Sequence, residues 1–501
     1  MSVPIVRLAS LKDANRFREH VHSLKVDVPC DERVLHGHDS PLLQPMSCGD
    51  LKITNRIAVQ PMEGWDGTSD GNPSEATIRR WQRFGQSGAG LIWGGEAVAV
   101  SHDGRANPNQ LVIAEHTKKG LAQLRQTLID EHRRTTASGE PPLIGLQLTH
   151  SGRYCKPNSQ TRNEPHIAYH HPILDKRLRL SVSYPLITDP EIKAIIADFH
   201  HAAATAYELG FDFVDIKHCH GYLAHELLGG HTRLGDYGGS FENRTRFLRE
   251  VLEGVRCLAP KLEIGVRLSA FDMIPFFPDP SQSSNGKLGP GISEDGDNLI
   301  PYRWGFGVNS ENPTMMDLAE ATRFLDLLQR LGIRLVNLTA GSPYYTPHIQ
   351  RPALYPPCDG YQPPEDPLVG VARQMGATRT LKAQFPDLII MGSAYSYLQE
   401  FLPRVAQAAV REGWVDLVGI GRIVLTYPEI LWDATQGRAS QRKRICRTFS
   451  DCTTAPRNGL PSGCFPLDSY YKDSEWANKL NLAKGIEPRN SSSEIVGQGT
   501  T

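Results

Sequence analysis

The chain contains no stretch of about 18 consecutive apolar residues, the length a helix needs to cross a bilayer. It has no block of basic residues either. Lysine and arginine total 54 against 55 for aspartate and glutamate, a formal net charge of −1. Global charge therefore gives no pull toward nucleic acid or an anionic membrane. Cysteine is sparse. The nine thiols, Cys30, Cys48, Cys155, Cys219, Cys257, Cys358, Cys446, Cys452 and Cys464, are odd in number and widely spread. That pattern does not make a disulfide scaffold and fits a reducing compartment. The first residues, MSVPIVRLASLKDANRF, lack the continuous apolar segment of a secretory signal. The expected location is cytoplasmic. No GxGxxG follows an apolar run, which argues against a dinucleotide-binding open sheet.

What is present is an alternation of short apolar runs with amphipathic stretches. Eight runs read as strands: NRIAVQ (55–60), GLIWGG (90–95), PLIGLQL (142–148), FDFVDIK (211–217), LEIGVRL (262–268), IRLVNLT (333–339), DLIIMG (387–392) and VDLVGI (415–420). They are apolar on both faces, as parallel strands covered by helices are. Asn72-Pro73 with Glu75 predicts a helix start capped by Asn72. Asp189-Pro190 predicts another, with a stripe of Ile192, Ile195, Ile196, Phe199 and Ala203 that Gly210 ends. Further helices are expected over 118–134, 242–256, 314–331, 367–384, 398–412 and 427–437. Eight strand–helix pairs predict an α/β fold, a closed (β/α)8 TIM barrel over 41–437. An N-terminal extension covers 1–40 with one short helix, and a cysteine-containing C-terminal extension packing on the barrel covers 438–501. Two long loops, 271–313 and 340–366, follow strands five and six. The aromatics of the first, Phe271, Phe276, Phe277, Tyr302, Trp304 and Phe306, predict a packed lid.

Several polar residues stand out against these apolar strands. Gln147 ends a buried strand and needs partners for both amide functions. Arg267 sits in IGVRLSA, where an unpaired guanidinium is costly and a buried anion is the economical partner. In DIKHCHGYLAHELLGG, strand alternation turns Lys217 inward if Asp215 faces inward, and turns His218 toward the helices. Gly392, Gly421 and Arg422 fall after strands seven and eight, where such barrels bind phosphate.

Together with NRIAVQPMEG (55–64), GLIWGGEAVAVSHDGR (90–105) and IGLQLTHSGRY (144–154), these motifs stand in order from about Leu42 to Gln436. They resemble the barrel domain of the Old Yellow Enzyme family of FMN-dependent NADH:flavin oxidoreductases, including its 2,4-dienoyl-CoA-reductase-like branch. The resemblance implies FMN as cofactor, with NADH or NADPH as transient reductant. It places Gln60, Pro61, Met62, Glu63 and Ala97 against the flavin ring, Gln147 on its polar edge, Arg267 near its N1 and O2, and Gly392, Gly421 and Arg422 around the phosphate. His150 and Arg153 would lie near the mouth. His220 matches one member of the family's substrate-binding pair, and the other falls on Lys217. Tyr222 matches the tyrosine that protonates the substrate after hydride reaches it.

Two positions depart from the pattern. Glu63 stands where Thr, Cys or His is usual, and it either faces the flavin or turns away into a salt bridge. Lys217 replaces a ring donor, and it either serves as a point charge on the substrate oxygen or pairs with a carboxylate such as Glu63. In the tail, Cys446, Cys452 and Cys464 are spaced C-x5-C-x11-C, similar to the branch's C-x2-C-x3-C-x11-C iron–sulfur signature. Phe449 stands about where the second cysteine belongs, so no iron–sulfur cluster and no metal is expected. The implied activity is NAD(P)H-dependent ene-reduction of carbonyl-conjugated alkenes, an activity on small molecules that involves no nucleic acid or membrane. Oxidation or reduction of another class, such as an amine, is the alternative, and a catalytically silent binding barrel is a third. The sequence leaves a homo-oligomer open.

Overall fold

A computed structural model describes residues 5–137, 139–284 and 287–486. All eight expected strands form: β1 (Ile57–Val59), β2 (Leu91–Ile92), β3 (Leu143–Thr149), β4 (Phe213–Ile216), β5 (Glu263–Ser269), β6 (Leu335–Thr339), β7 (Ile389–Gly392) and β8 (Leu417–Ile420). Each pairs in parallel with the next. β8 returns to β1 through Val418 opposite Ile57, so the sheet closes. The (β/α)8 expectation is borne out. A short strand after β2, Ala97–Ala99, adds a second pairing with β3, Ala97 opposite Gln147.

Local chemistry sets the helix starts. The helix Glu75–Gln86 is capped by Ser74, whose side chain accepts from Thr77 N–H while Thr77 Oγ1 accepts from Ser74 N–H. The expected cap at Asn72 is therefore two residues early. Ser74 wins because Thr77 completes the reciprocal box, whereas Asn72 donates its side-chain amide to Asp70. Thr188 caps Asp189–Glu208 with Glu191 closing the box. The predicted apolar stripe is buried, and Gly210, at φ +81°, ends the helix. The stretch expected at 242–256 divides into Phe241–Arg244 and Arg246–Leu258. The one expected at 314–331 starts only at Ala319, and the one at 427–437 narrows to Ile430–Thr435.

Period-two alternation sends every second strand residue into the barrel. The bottom layer is apolar: Ala58, Leu91, Leu143, Phe213, Leu335, Ile389 and Leu417 pack together. A hairpin, Met46–Cys48 with Leu51–Ile53, lends Cys48 and Ile53 to that cluster. Further toward their C-terminal ends the eight strands carry Gln60, Trp93, Gln147, Asp215, Arg267, Asn337, Met391 and Gly419. The interior therefore turns polar toward the C-terminal mouth.

The loop 271–313 is packed, with Phe271, Tyr302 and Phe306 buried. It carries a hairpin, Phe276–Pro278 with Gly291–Ser293, and its aromatics meet His171, His348 and Phe324. None of its described residues lines the mouth cleft, so they form no lid over that cleft. Among the described residues, no helix is long and apolar enough to cross a membrane.

A buried ion cluster fastens the C-terminal segment to the barrel. Arg80 donates to Asp66 at 2.7 and 2.8 Å and to Glu96 at 2.9 and 3.2 Å. Ser462 N–H donates to Asp66 Oδ2 at 2.9 Å. Burial pushes the Glu96 carboxyl up to about 7 against the pull of Arg80. Burial works against the Asp66 charge as well, but Arg80 and the Ser462 N–H overcome it and hold that carboxyl below its usual value. Arg80→Leu would leave two carboxylates uncompensated in the interior. It is expected to cost about 3–5 kcal/mol, read as a lower urea midpoint at neutral pH, and an unchanged midpoint would show the cluster to be idle.

Candidate active site

The mouth opens into a cleft with about 1200 Å³ of empty space, counted out to its open side. Its walls come from the end of β1 (Gln60, Pro61, Met62, Glu63), from Gln147, Lys217, His220 and Arg267, and from Gly421 and Arg422 after β8. These are ten of the thirteen positions singled out from the sequence. Ala97 and Gly392 do not line it. Ala97 is held in the sheet, its carbonyl accepting from Gln110, and Gly392 offers its carbonyl to Gln60. Tyr222 is buried just behind the wall. His150 and Arg153 point elsewhere. His150 Nδ1 accepts from Gly152 N–H, and Arg153 is buried against Glu226, Asp175 and the Tyr169 carbonyl.

The floor is a hydrogen-bonded polar layer. Asp215 Oδ2 accepts from Gln147 Nε2 at 2.5 Å and from Trp93 Nε1 at 2.8 Å, and its Oδ1 accepts from the Arg267 N–H at 2.7 Å. Burial lifts its carboxyl to about 6 despite those donors. Asn337 Nδ2 donates to Gln60 Oε1, and Gln60 Nε2 donates to Ser393 Oγ and the Gly392 carbonyl. Two floor atoms are buried with no protein partner among the described residues: Arg267 Nε and Asn337 Oδ1.

At one side of the mouth the charges are paired. Lys217 Nζ donates to Glu63 Oε1 at 2.7 Å and lies 3.8 Å from the centre of the Tyr222 ring. Tyr222 O–H donates to Glu63 Oε2 at 2.8 Å, and the Tyr222 and Tyr344 hydroxyls are 3.0 Å apart. The Tyr222 proton is committed to the carboxylate, so Tyr344 is the donor of that last bond. Burial, then the Glu63 charge, push both tyrosine hydroxyls well above their usual pKa. The alternation argument holds for His218, whose ring packs on Phe247 and Phe324 on the helix side. His220 takes a left-handed backbone, φ +67°, followed by Gly221 at +81°. The turn is pinned by Ser342 Oγ donating to the His220 carbonyl. Burial, then the charges of Arg267 and Lys217, hold the His220 imidazole well below its usual pKa. The Gln350 amide nitrogen lies 3.3 Å from His220 Nε2. It can only donate, so the proton of this neutral ring is on Nδ1.

Elsewhere on the cleft wall two arginines lack carboxylate partners. Arg422 donates from Nη2 to the Pro352 carbonyl at 2.8 Å, but its Nη1 is buried without a partner. Arg351 meets Thr453 Oγ1, and its Nε is likewise without a partner. Neither makes an ion pair with a carboxylate among the described residues. Burial, then the neighbouring Arg422, bring the Arg351 guanidinium down to about 9. Two adjacent guanidiniums in that state suit an anion. The C-terminal segment covers it with Cys452, Thr453, Pro456, Arg457 and Ser462. Among the described residues, the only trio of candidate ligands close enough for one metal ion is Asp103, His150 and His166, not the tail cysteines.

The sequence profile of the NADH:flavin oxidoreductase / NADH oxidase family matches residues 41–278. Over those residues the chain is similar to that family. The Old Yellow Enzyme resemblance is thereby borne out. An NADPH dehydrogenase of Clostridium acetobutylicum is 34% identical over 227 residues, 44% of this chain and 62% of that protein. The 12-oxophytodienoate reductase 1 of Oryza sativa subsp. japonica is 30% identical over 239 residues, 46% of this chain and 59% of that protein. The matched part thus spans about three-fifths of these relatives. Among solved structures, a 2-naphthoyl-CoA reductase complex is similar with a TM-score of 0.62 at 18% identity, covering 87% of this chain and 58% of that one. Morphinone reductase with tetrahydroNAD is similar at 0.50 and 20% identity, covering 80% and 92%. These likenesses carry the barrel fold.

FMN is the cofactor that similarity to this family implies, and the residues present fit it. Arg422 and Arg351, each with an unpartnered guanidinium nitrogen, would hold its phosphate, and Arg267 would face a ring that accumulates negative charge on reduction. Losing one charge-assisted contact to phosphate costs about 1.5–3 kcal/mol, about ten- to hundred-fold in affinity. Arg422→Ala and Arg351→Ala should each weaken FMN binding by that factor in a fluorescence titration and leave riboflavin, which lacks the phosphate, nearly unaffected. Equal losses for both ligands would place the phosphate elsewhere.

Proposed function

We propose that this chain is an FMN-dependent NAD(P)H oxidoreductase that reduces an activated, carbonyl-conjugated alkene. The observation that carries the reading is the pair of hydrogen-bonded, protonated tyrosines, Tyr222 and Tyr344, at the mouth above Arg267. When bound, FMN supplies the two-electron carrier between the nicotinamide and the alkene. Gln60, Pro61, Met62, Glu63, Gln147 and Arg267 would hold its ring, and Gly421, Arg422 and Arg351 its phosphate. Ala97 and Gly392 act on it only through the backbone they shape. His220, neutral with its proton on Nδ1, offers a hydrogen bond to the substrate's acceptor oxygen. A tyrosine with an elevated pKa stays protonated at neutral pH and serves as a reservoir acid. Lys217 is held by Glu63, so it neutralises that carboxylate instead of joining His220 as a second donor.

The test separates the half-reactions. Protein reduced anaerobically with NADPH should be reoxidised by a cyclic enone well above the enone-free rate. Reoxidation at the background rate would sink the proposal. The Glu63–Lys217 pair favours one second reading. It sets a carboxylate, Glu63, in the cleft wall, which suits a substrate carrying an amine. Anaerobic bleaching of the flavin by an amine without NADPH would select it.

A further inference from the structure

The resemblance assigns proton delivery to Tyr222, but the geometry assigns that oxygen a different task. Tyr222 is 1% exposed and does not line the cleft. Its one hydroxyl proton is directed at Glu63, in a bond that charge on the acceptor strengthens. To reach a substrate it would have to leave the carboxylate and turn through the wall. Tyr344, on the loop after β6, does line the cleft. Its ring is fixed face to face on Tyr154, centroids 3.7 Å apart and planes 5° apart. Its backbone N–H donates to Ser342 Oγ, which in turn donates to the His220 carbonyl. The loop is thus registered to the same turn that presents His220. Such anchoring on both ring and backbone is what a proton donor needs to meet a carbon at a defined place.

We propose that Tyr344 is the residue that hands its proton to the substrate, and that Tyr222 is a positioning residue behind it. The inference rests on the ene-reductase reading above. In the step, the Tyr344 O–H bond breaks and a C–H bond forms at the substrate α-carbon. The electron pair comes from the enolate left once the β-carbon has been reduced. The Tyr344 oxygen then carries the negative charge. Tyr222 can turn its O–H from Glu63 to that oxygen, and Lys217 remains beside Glu63 to balance the exposed carboxylate. Water at the open mouth returns the proton to Tyr344.

One test needs no turnover. Acetylation of the purified protein with N-acetylimidazole, followed by peptide mass mapping, should mark Tyr344 and spare Tyr222. Marking of Tyr222 with Tyr344 spared overturns the proposal. A second test compares rates. Tyr344→Phe should lower the ratio of enone-driven reoxidation to NADPH-driven reduction by about 100-fold, the low end of general-acid contributions, and Tyr222→Phe by less than about 10-fold. The reverse order overturns the proposal. Glu63→Gln supplies a readout that mere structural damage would not move. Removing its charge lowers the Tyr344 hydroxyl pKa, so the alkaline limb of the reoxidation profile should shift to lower pH. An unmoved limb counts against the chain. Wild-type protein that no enone reoxidises would overturn the ene-reductase reading, whereas wild-type turnover with Tyr344→Phe intact would overturn this inference alone.

Discussion

A closed parallel barrel gives every second strand residue no route to solvent, and the middle layer of this barrel is polar. Everything at the mouth depends on how that layer is satisfied. Asp215 is its centre, because one carboxylate collects donors from β3, from the end of β2 and from the backbone of β5. Gln60, Asn337 and Ser393 do the same work across β1, β6 and β7. Bonds of this kind are costly to leave unmade in a dry interior. They fix the rims of seven strands relative to one another. Against that rigid floor, an Arg267 Nε and an Asn337 Oδ1 left without partners stand out as sites for a ligand.

The second constraint comes from outside the barrel. Arg80, Asp66 and Glu96 form a buried charge cluster, and Asp66 also accepts from the Ser462 backbone. The cluster therefore joins the first βα loop, its helix, the rim after β2 and the C-terminal segment. That one link returns residues 452–462 to the cleft. The segment is anchored again by Arg79 on Asp468 and by Thr448 on the Leu354 backbone. The anion site at Arg351 and Arg422 is roofed as a result, and burial beneath the roof is what makes those guanidiniums costly without an anion.

The sequence made the barrel legible because its signals are local. Eight apolar runs, start signals before two of the helices and period-two alternation suffice to place the strands and to turn Lys217 inward and His218 outward. The floor was half legible. Gln147 and Arg267 stand out as polar residues on apolar strands, and the same signal was there for Asp215 in FDFVDIK and Asn337 in IRLVNLT. Tyr344, Gln350 and Arg351 carry no such signal. They lie in an aperiodic loop whose path is set by contacts with the 220–221 turn and the C-terminal segment. The loop 271–313 fails in the opposite way. Its aromatics correctly indicate packing, but composition cannot say which neighbour they pack on, and they chose the 169–171 and 348 region over the mouth. The cap at Ser74 went unread because Asn-Pro is the stronger motif in sequence, while the reciprocal Ser74–Thr77 bonds are stronger in three dimensions.

The distribution of charge across the cleft orients whatever enters it. On one side, Arg351 and Arg422 lack carboxylate partners, and an anion there gains Coulomb energy little screened by water. On the other, Lys217 and Glu63 cancel, and the two tyrosines and His220 are held neutral. A molecule with a phosphate at one end and a flat polar ring at the other would find the two guanidiniums for the first and Arg267 for the second. The wall at Lys217 and Glu63 has no net charge to offer a charged substrate and several protons to offer an uncharged one. The substitution of a carboxylate and a lysine at positions 63 and 217 therefore does not make the mouth ionic. Because the two residues neutralise each other at 2.7 Å, they leave that wall without net charge and hold the Tyr222 hydroxyl beside that of Tyr344.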